Sequence, residues 1–129
     1  MPMIRVACPV LPSEDPEKVK KAVTNIFPDI DADVQDGTIT GDTESLEHFA
    51  AQIRRQRILD TARSVMMKGR RGERTVFHMN KQAAFAGKIS FTEERTILGT
   101  ISVTITSDDI TAFIEALAPQ TVDGEEVMI

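Results

Sequence analysis

The chain has 129 residues, with fifteen Lys/Arg against twenty Asp/Glu, one cysteine and neither Trp nor Tyr. That length suits one domain, able to bury about two thirds of its unfolded surface without staples, and the lone Cys8 excludes an internal disulfide and fits a reducing compartment. No apolar run approaches the roughly 20 residues that span a bilayer, and Met1 leads straight into a β-like segment rather than a leader, so the chain reads as soluble and cytoplasmic.

Residues 3–11 are rich in β-branched and apolar side chains and form a strand, with Pro9 demoting its far end to an edge or a bulge. Asp15 and Pro16 then open a helix as cap and first position. Val19, Ala22, Val23 and Ile26 keep helical spacing, and Phe27-Pro28 ends the run. In 32–40, Asp36-Gly37 between β-like residues signals a tight hairpin.

Residues 43–68 follow as one long helix, started by Asp42 or Thr43 and stopped at Gly69. Its apolar residues make two stripes. Leu46, Phe49, Ala50 and Ile53 form the first; Ile58, Leu59, Ala62, Val65 and Met66 form the second, on nearly the opposite side. Either the helix bends at 54–57, or it stays straight and buries one side at each end. No Pro or Gly lies between Leu46 and Lys68, which favours the straight helix. One stripe would then cover the protein's own sheet, and the other would meet a different element or a second subunit.

Residues 75–79 alternate, with Val76 and His78 on one face and Phe77 and Met79 on the other. Residues 80–85 read as a connection or a distorted strand end, 87–91 as a strand and 93–98 as a polar loop. The clearest strand is 100–106, with Ile101, Val103 and Ile105 inward at period two. Ser107 or Asp108 caps a last helix with a stripe of Ile110, Phe113, Ile114 and Leu117, ended by Pro119. The order β-α-β-β-α-β-β-β-α gives an α+β two-layer sandwich, a mostly antiparallel sheet with helices on one face. Residues 1–119 make the single domain, and 120–129 an acidic, loose tail.

The net charge of −5 hides an asymmetry. From Arg54 to Lys88 ten Lys/Arg stand against two acids, Asp60 and Glu73, a net +8, while the rest of the chain carries −13. Arg suits phosphate because its planar fork donates two hydrogen bonds at once. Arg54, Arg55, Arg57, Lys68, Arg70, Arg71, Arg74 and Lys81 are therefore the candidate phosphate- or RNA-binding residues. Against them stands an ordinary solvated face, with Arg57 or Arg63 pairing with local acids such as Asp60. The aromatic interleaving of single-strand binders is missing, because Phe77, Phe85 and Phe91 read as inward-facing.

No reaction is legible. Cys8, His48 and His78 are far apart and lack metal-ligand spacing, Gly69-Arg70-Arg71-Gly72 is not a phosphate loop, and Asp29 to Asp36 lack the glycine and terminal Glu of a calcium loop. Catalytic residues, metal and cofactor are all read as none. The chain reads as a non-enzymatic binding domain. The alternative is a protein-interaction domain, a homodimer using the second helix stripe or a sheet edge.

Three stretches carry a family resemblance. They are Pro12-Ser13-Glu14-Asp15 with Val19 and Ile26-Phe27-Pro28; Gln56-Arg57-Ile58-Leu59-Asp60-Thr61-Ala62-Arg63; and Asn80-Lys81-Gln82-Ala83-Ala84-Phe85 with Gly87-Lys88. Through them the chain resembles the archaeal uncharacterised protein family 0201. The resemblance implies an archaeal source, a fold like the ribosomal protein that contacts 5S RNA, and RNA or a ribonucleoprotein as partner. It supplies no catalytic motif. For residues 80–85 two readings stand, a functional one and a tightly packed turn in which Asn80 bonds backbone and Ala83-Ala84 admit close packing.

Overall fold

The computed structural model describes residues 2–92 and 99–119, with the backbone of 121–122 and 125–126. The expected polar loop at 93–98 and most of the expected tail lie outside the described residues. Seven strands form one antiparallel sheet: β1 (Met3–Pro9), β2 (Asp31–Gln35), β3 (Thr38–Thr43), β4 (Arg70–Arg71), β5 (Arg74–Asn80), β6 (Phe91–Thr92) and β7 (Thr100–Thr106). Their spatial order is β2-β3-β1-β7-β5-β4, with β6 beside β4 on the free side of β5. A separate pair, β8 (Thr121–Val122) and β9 (Glu125–Glu126), follows at the C-terminal end. Among the described residues five helices supply the second layer of this α+β fold: α1 (Pro16–Ile26), α2 (Glu47–Arg55), α3 (Leu59–Lys68), α4 (Lys81–Phe85) and α5 (Ile110–Leu117).

Period-two alternation selects the buried face. Ile4, Val6 and Cys8 of β1, Phe77 and Met79 of β5, and Ile101, Val103 and Ile105 of β7 all point into the core. Their neighbours Arg5, Ala7, Val76, His78, Ser102 and Thr104 lie on the other face, half-buried or exposed. On α1 the expected stripe is fully buried. Asp15 caps the helix by accepting from the Glu17 N–H at 3.0 Å, ahead of Pro16. The Asp36-Gly37 turn has φ of 50° and 75°, the left-handed pair that a two-residue hairpin loop requires. Phe49 of α2 centres the aromatic core, its ring 6.0 Å from Phe27, 5.8 Å from Phe77 and 6.4 Å from Phe91.

The long straight helix is not what forms. It breaks at Gln56-Arg57-Ile58, where Arg57 adopts φ 58°. The reason lies in the two opposed stripes. A straight helix would leave one of them off the sheet, whereas a left-handed residue turns the second segment about its axis. Phe49 and Ile53 of α2 and Leu59, Ala62 and Met66 of α3 then enter the same core. The second stripe therefore meets the protein's own core, with Leu59, Ala62 and Met66 buried and Ile58 and Val65 half-buried against it. Gln56 fixes the break: its side-chain amide accepts from the Ile89 N–H and donates to the Ile89 carbonyl, both at 2.9 Å.

Other boundaries shift for local reasons. Helix α2 starts after Ser45, whose hydroxyl accepts from the Glu47 N–H at 3.2 Å, rather than at Asp42 or Thr43, which belong to β3. Asp109 replaces Ser107 or Asp108 as the α5 cap, accepting from the Ala112 N–H at 3.1 Å. The strand expected at 87–91 shrinks to Phe91–Thr92, because Gly87 bonds to Gln52 of α2 and Ile89 to Gln56 at the break instead. Gly69 does end α3, but without left-handed backbone, at φ −79°. Its glycine is needed because a Cβ there would run into the Val76 carbonyl.

A left-handed non-glycine residue costs roughly 1–2 kcal/mol, which glycine avoids at the expense of a floppier unfolded chain. Arg57→Gly should therefore raise the unfolding free energy by about 0.5–1 kcal/mol in urea titration, whereas Arg57→Ala should not. Equal behaviour of the two variants would show that the guanidinium, not the backbone, sets the effect.

Candidate nucleic-acid interface

The basic region falls into two clusters with α3 between them. The first is the turn at the helix break, with Arg54 and Arg55 on the last turn of α2 and Arg57 beyond it, all three exposed. The second lies at the far end of α3, where Lys68 leads into the β4–β5 hairpin carrying Arg70, Arg71 and Arg74, again all exposed. The ten residues of α3 set them about 15 Å apart at 1.5 Å per residue.

The clusters differ in how far their donors are already engaged. In the first, Arg54 Nη1 donates to the Ala50 carbonyl at 3.2 Å. In the second, Arg70 Nη1 donates to the Thr111 hydroxyl at 2.5 Å, folding the side chain onto α5. Arg71 Nη1 donates to the carbonyls of Lys68 at 3.2 Å and Arg70 at 2.7 Å, closing the C-terminal end of α3. Arg63, within the same segment, reaches Glu115 of α5 at 3.3 Å rather than the nearby Asp60.

Lys81 is misplaced among the phosphate candidates. Only 2% of it is exposed, and its Nζ donates to the Pro9 carbonyl at 2.8 Å and to Glu14 Oε1 at 2.9 Å. A buried ammonium survives only with such partners, and here they take it out of reach of a ligand. The local signal was a cap: Asn80 Oδ1 accepts from the Ala83 N–H at 2.9 Å and starts the short helix α4. Asn25 of α1 holds the other end by donating to the Ala84 carbonyl at 2.9 Å. Residues 80–85 are thus a packed, capped turn of helix, with Asn80 bonded to backbone and Ala84 buried.

Burial pushes the Glu14 carboxyl up, but the Leu11 N–H and then Lys81, by hydrogen bond and by charge, hold it below its ordinary 4.5. Cys8 lies on the same side of the sheet, and burial pushes its thiol up to about 11 against the pull of Lys81. His78 lies on the opposite face, its Nδ1 2.9 Å from the Ser102 hydroxyl. Cys8 and His78 therefore cannot converge on one ion. A groove of about 260 Å³ opens between α2, α5 and the start of β1. Ile4, Leu46, Ala50, Phe113 and Leu117 give it apolar walls, and Glu44 and Glu47 are its titratable groups.

A family model described as RNA binding matches residues 3–107. The UPF0201 protein of Methanothermobacter thermautotrophicus is 41% identical over 130 residues, covering 98% of both chains. The chain belongs to the UPF0201 family. A crystal structure of the UPF0201 protein from Methanococcus jannaschii matches with a TM-score of 0.91 at 37% identity, over 98% of this chain and 99% of that one. The UPF0200/UPF0201 protein of Archaeoglobus fulgidus, 39% identical over 127 residues, is longer, and this chain spans 39% of it.

The residues through which the UPF0201 resemblance was legible are largely internal fasteners. Gln56 grips Ile89, Asn80 caps α4, and Glu14 meets Lys81. Among the described residues no helix is long and apolar enough to cross a membrane.

Removing one partner of the buried pair leaves the other uncompensated, so Lys81→Met should cost about 3 kcal/mol at neutral pH, and adding Glu14→Gln should recover part of it. Because the folded Glu14 is the stronger acid, its contribution is present above pH 4.5 and is lost as pH falls through the folded value. The stability gap between wild type and Glu14→Gln, followed by denaturant titration, should therefore narrow on acidification. A gap that stays constant would remove the ionised carboxylate from the account.

Proposed function

We propose that this chain is a non-enzymatic, cytoplasmic domain that engages the phosphate backbone of RNA, alone or within a ribonucleoprotein. The contacts run through Arg54, Arg55 and Arg57 at one end of α3 and Lys68, Arg70, Arg71 and Arg74 at the other. The observation that carries the reading is the pair of exposed arginine clusters about 15 Å apart on a chain whose net charge is −5. Two separated clusters suit a contour of phosphates better than a single anion. Acidic surroundings confine the attraction to them and discourage indiscriminate binding. The RNA-binding description of the matching family model supports the reading, as does the ribosomal-protein-like fold that the family resemblance implies. A second reading, a protein-interaction domain that pairs with its own copy, has separate support in the outer face of the sheet.

Binding to structured ribosomal RNA fragments and total cellular RNA should weaken steeply between about 50 and 200 mM salt, because each neutralised phosphate releases counterions. Arg54→Glu/Arg55→Glu/Arg57→Glu, checked for folding, should lower affinity by at least about tenfold and flatten the salt slope. Salt-independent binding, or none by the wild type at low salt, would refute the proposal.

A further inference from the structure

The outer face of the sheet carries two like-charge pairs whose placement is reciprocal. On one flank, Asp31 of β2 lies directly across from Asp42 of β3. On the other, Arg71 of β4 lies directly across from Arg74 of β5. All four are exposed on the face opposite the helices, since their strand neighbours Ala32, Thr43 and Thr75 point into the core. Like charges opposed across two strands are destabilising. Among the described residues the acidic pair is relieved at one side, where Arg5 stands 3.7 Å from Asp42.

The strand order makes the two pairs equivalent by symmetry. In β2-β3-β1-β7-β5-β4 the midline falls between β1 and β7. The acidic pair sits on the second and third strands to one side of it, and the basic pair on the second and third strands to the other. A two-fold axis along the strands at that midline lays β3 over the partner's β5 and β2 over its β4. Register keeps the heights close. Asp42, Arg5 and Thr104 share one row with Val76, and Arg74 lies two residues along β5, about 7 Å away and within reach of an arginine side chain.

We propose that two copies of this chain pair face to face through the outer surfaces of their sheets. Asp31 and Asp42 of each copy meet Arg71 and Arg74 of the other. The interface is isologous, so one patch satisfies both halves of the contact. Beside the axis stand Ala7, Ser102 and Thr104, side chains small enough for two sheets to close to about 10 Å in aligned packing. Six strands spaced about 4.8 Å apart and about 20 Å long offer roughly 550 Å² per copy, or about 1,100 Å² in all, just above what a specific interface needs. Both helical layers face outwards in the pair; Arg71 and Arg74 are then given to the partner copy, and the RNA contacts of the paired form run through Arg54, Arg55, Arg57, Lys68 and Arg70.

The test is sedimentation velocity on the full chain at low salt, with two charge-reversed variants checked for folding. One is Asp31→Arg/Asp42→Arg and the other Arg71→Asp/Arg74→Asp. Each keeps a like-charge pair within its own sheet but loses intrachain contacts, Arg5–Asp42 in the first and those of Arg71 with the Lys68 and Arg70 carbonyls in the second, so the unfolding free energy of each is measured beside its association. Wild type should dimerise at tens of micromolar, and each variant alone should dimerise at least about tenfold more weakly. An equimolar mixture should recover association, because the two variants are complementary on both flanks. A monomeric wild type at several hundred micromolar, unchanged association in either variant, or a mixture that fails to associate would each overturn the pairing. A monomeric wild type whose RNA affinity falls in Arg71→Asp/Arg74→Asp would overturn it in favour of a polyanion on that face.

Discussion

Both apolar stripes of the helical layer reach one sheet because the backbone reverses hand at Arg57, and most of the molecule follows from that reversal. Without it, either Phe49 and Ile53 or Leu59, Ala62 and Met66 would face water, a loss of several kcal/mol for side chains of this size. The strain of one left-handed residue is small beside that. The same reversal sets Arg54, Arg55 and Arg57 at an exposed turn.

Polar side chains serve the core in a way that composition hides. Gln56 imitates a strand by bonding both backbone groups of Ile89, and Gln52, 4% exposed, donates to Gln56 Oε1 at 2.9 Å. Lys81 ties the end of β1 to Glu14, in the loop before α1, and to its own helix α4. Each bond joins segments that hydrophobic burial alone would leave free to slide, so these residues define register where the apolar pattern is weakest. This also separates the chain's most recognisable stretches from its most reactive surface: the stretches hold the fold, and exposed arginines hold the chemistry.

Much of the architecture was legible because its signals are local. Alternation marks β5 and β7, Asp36-Gly37 marks a hairpin, and Asp15-Pro16 marks a helix start, each within a few residues. What was hidden depends on distant partners. The break at Arg57 has no Pro or Gly to announce it, since the pressure comes from a sheet it must cover. Lys81 reads as a surface cation until Glu14, 67 residues earlier, is placed beside it. Of the candidate site, the arginines were visible as a charge excess. Their spacing, one group at the middle of the expected helix and one at its end, was visible too; that the chain breaks at the first group was the less favoured of two readings, because the break rests on a single backbone dihedral.

The position of β1 in the sheet has a consequence for how the chain is made. The first strand lies in the middle, paired with β3 on one side and with β7 on the other, Met3 opposite Thr106. Emerging from the ribosome, it can find β3 early, but its second edge stays open until residue 106 has been added, roughly 5–20 s later at common rates of synthesis. For that interval the nascent protein displays an apolar strand with one unfilled edge, a template for the wrong neighbour. Closure then joins the two ends of the domain in one step, so folding is set by its longest-range contact and is slow for so small a protein.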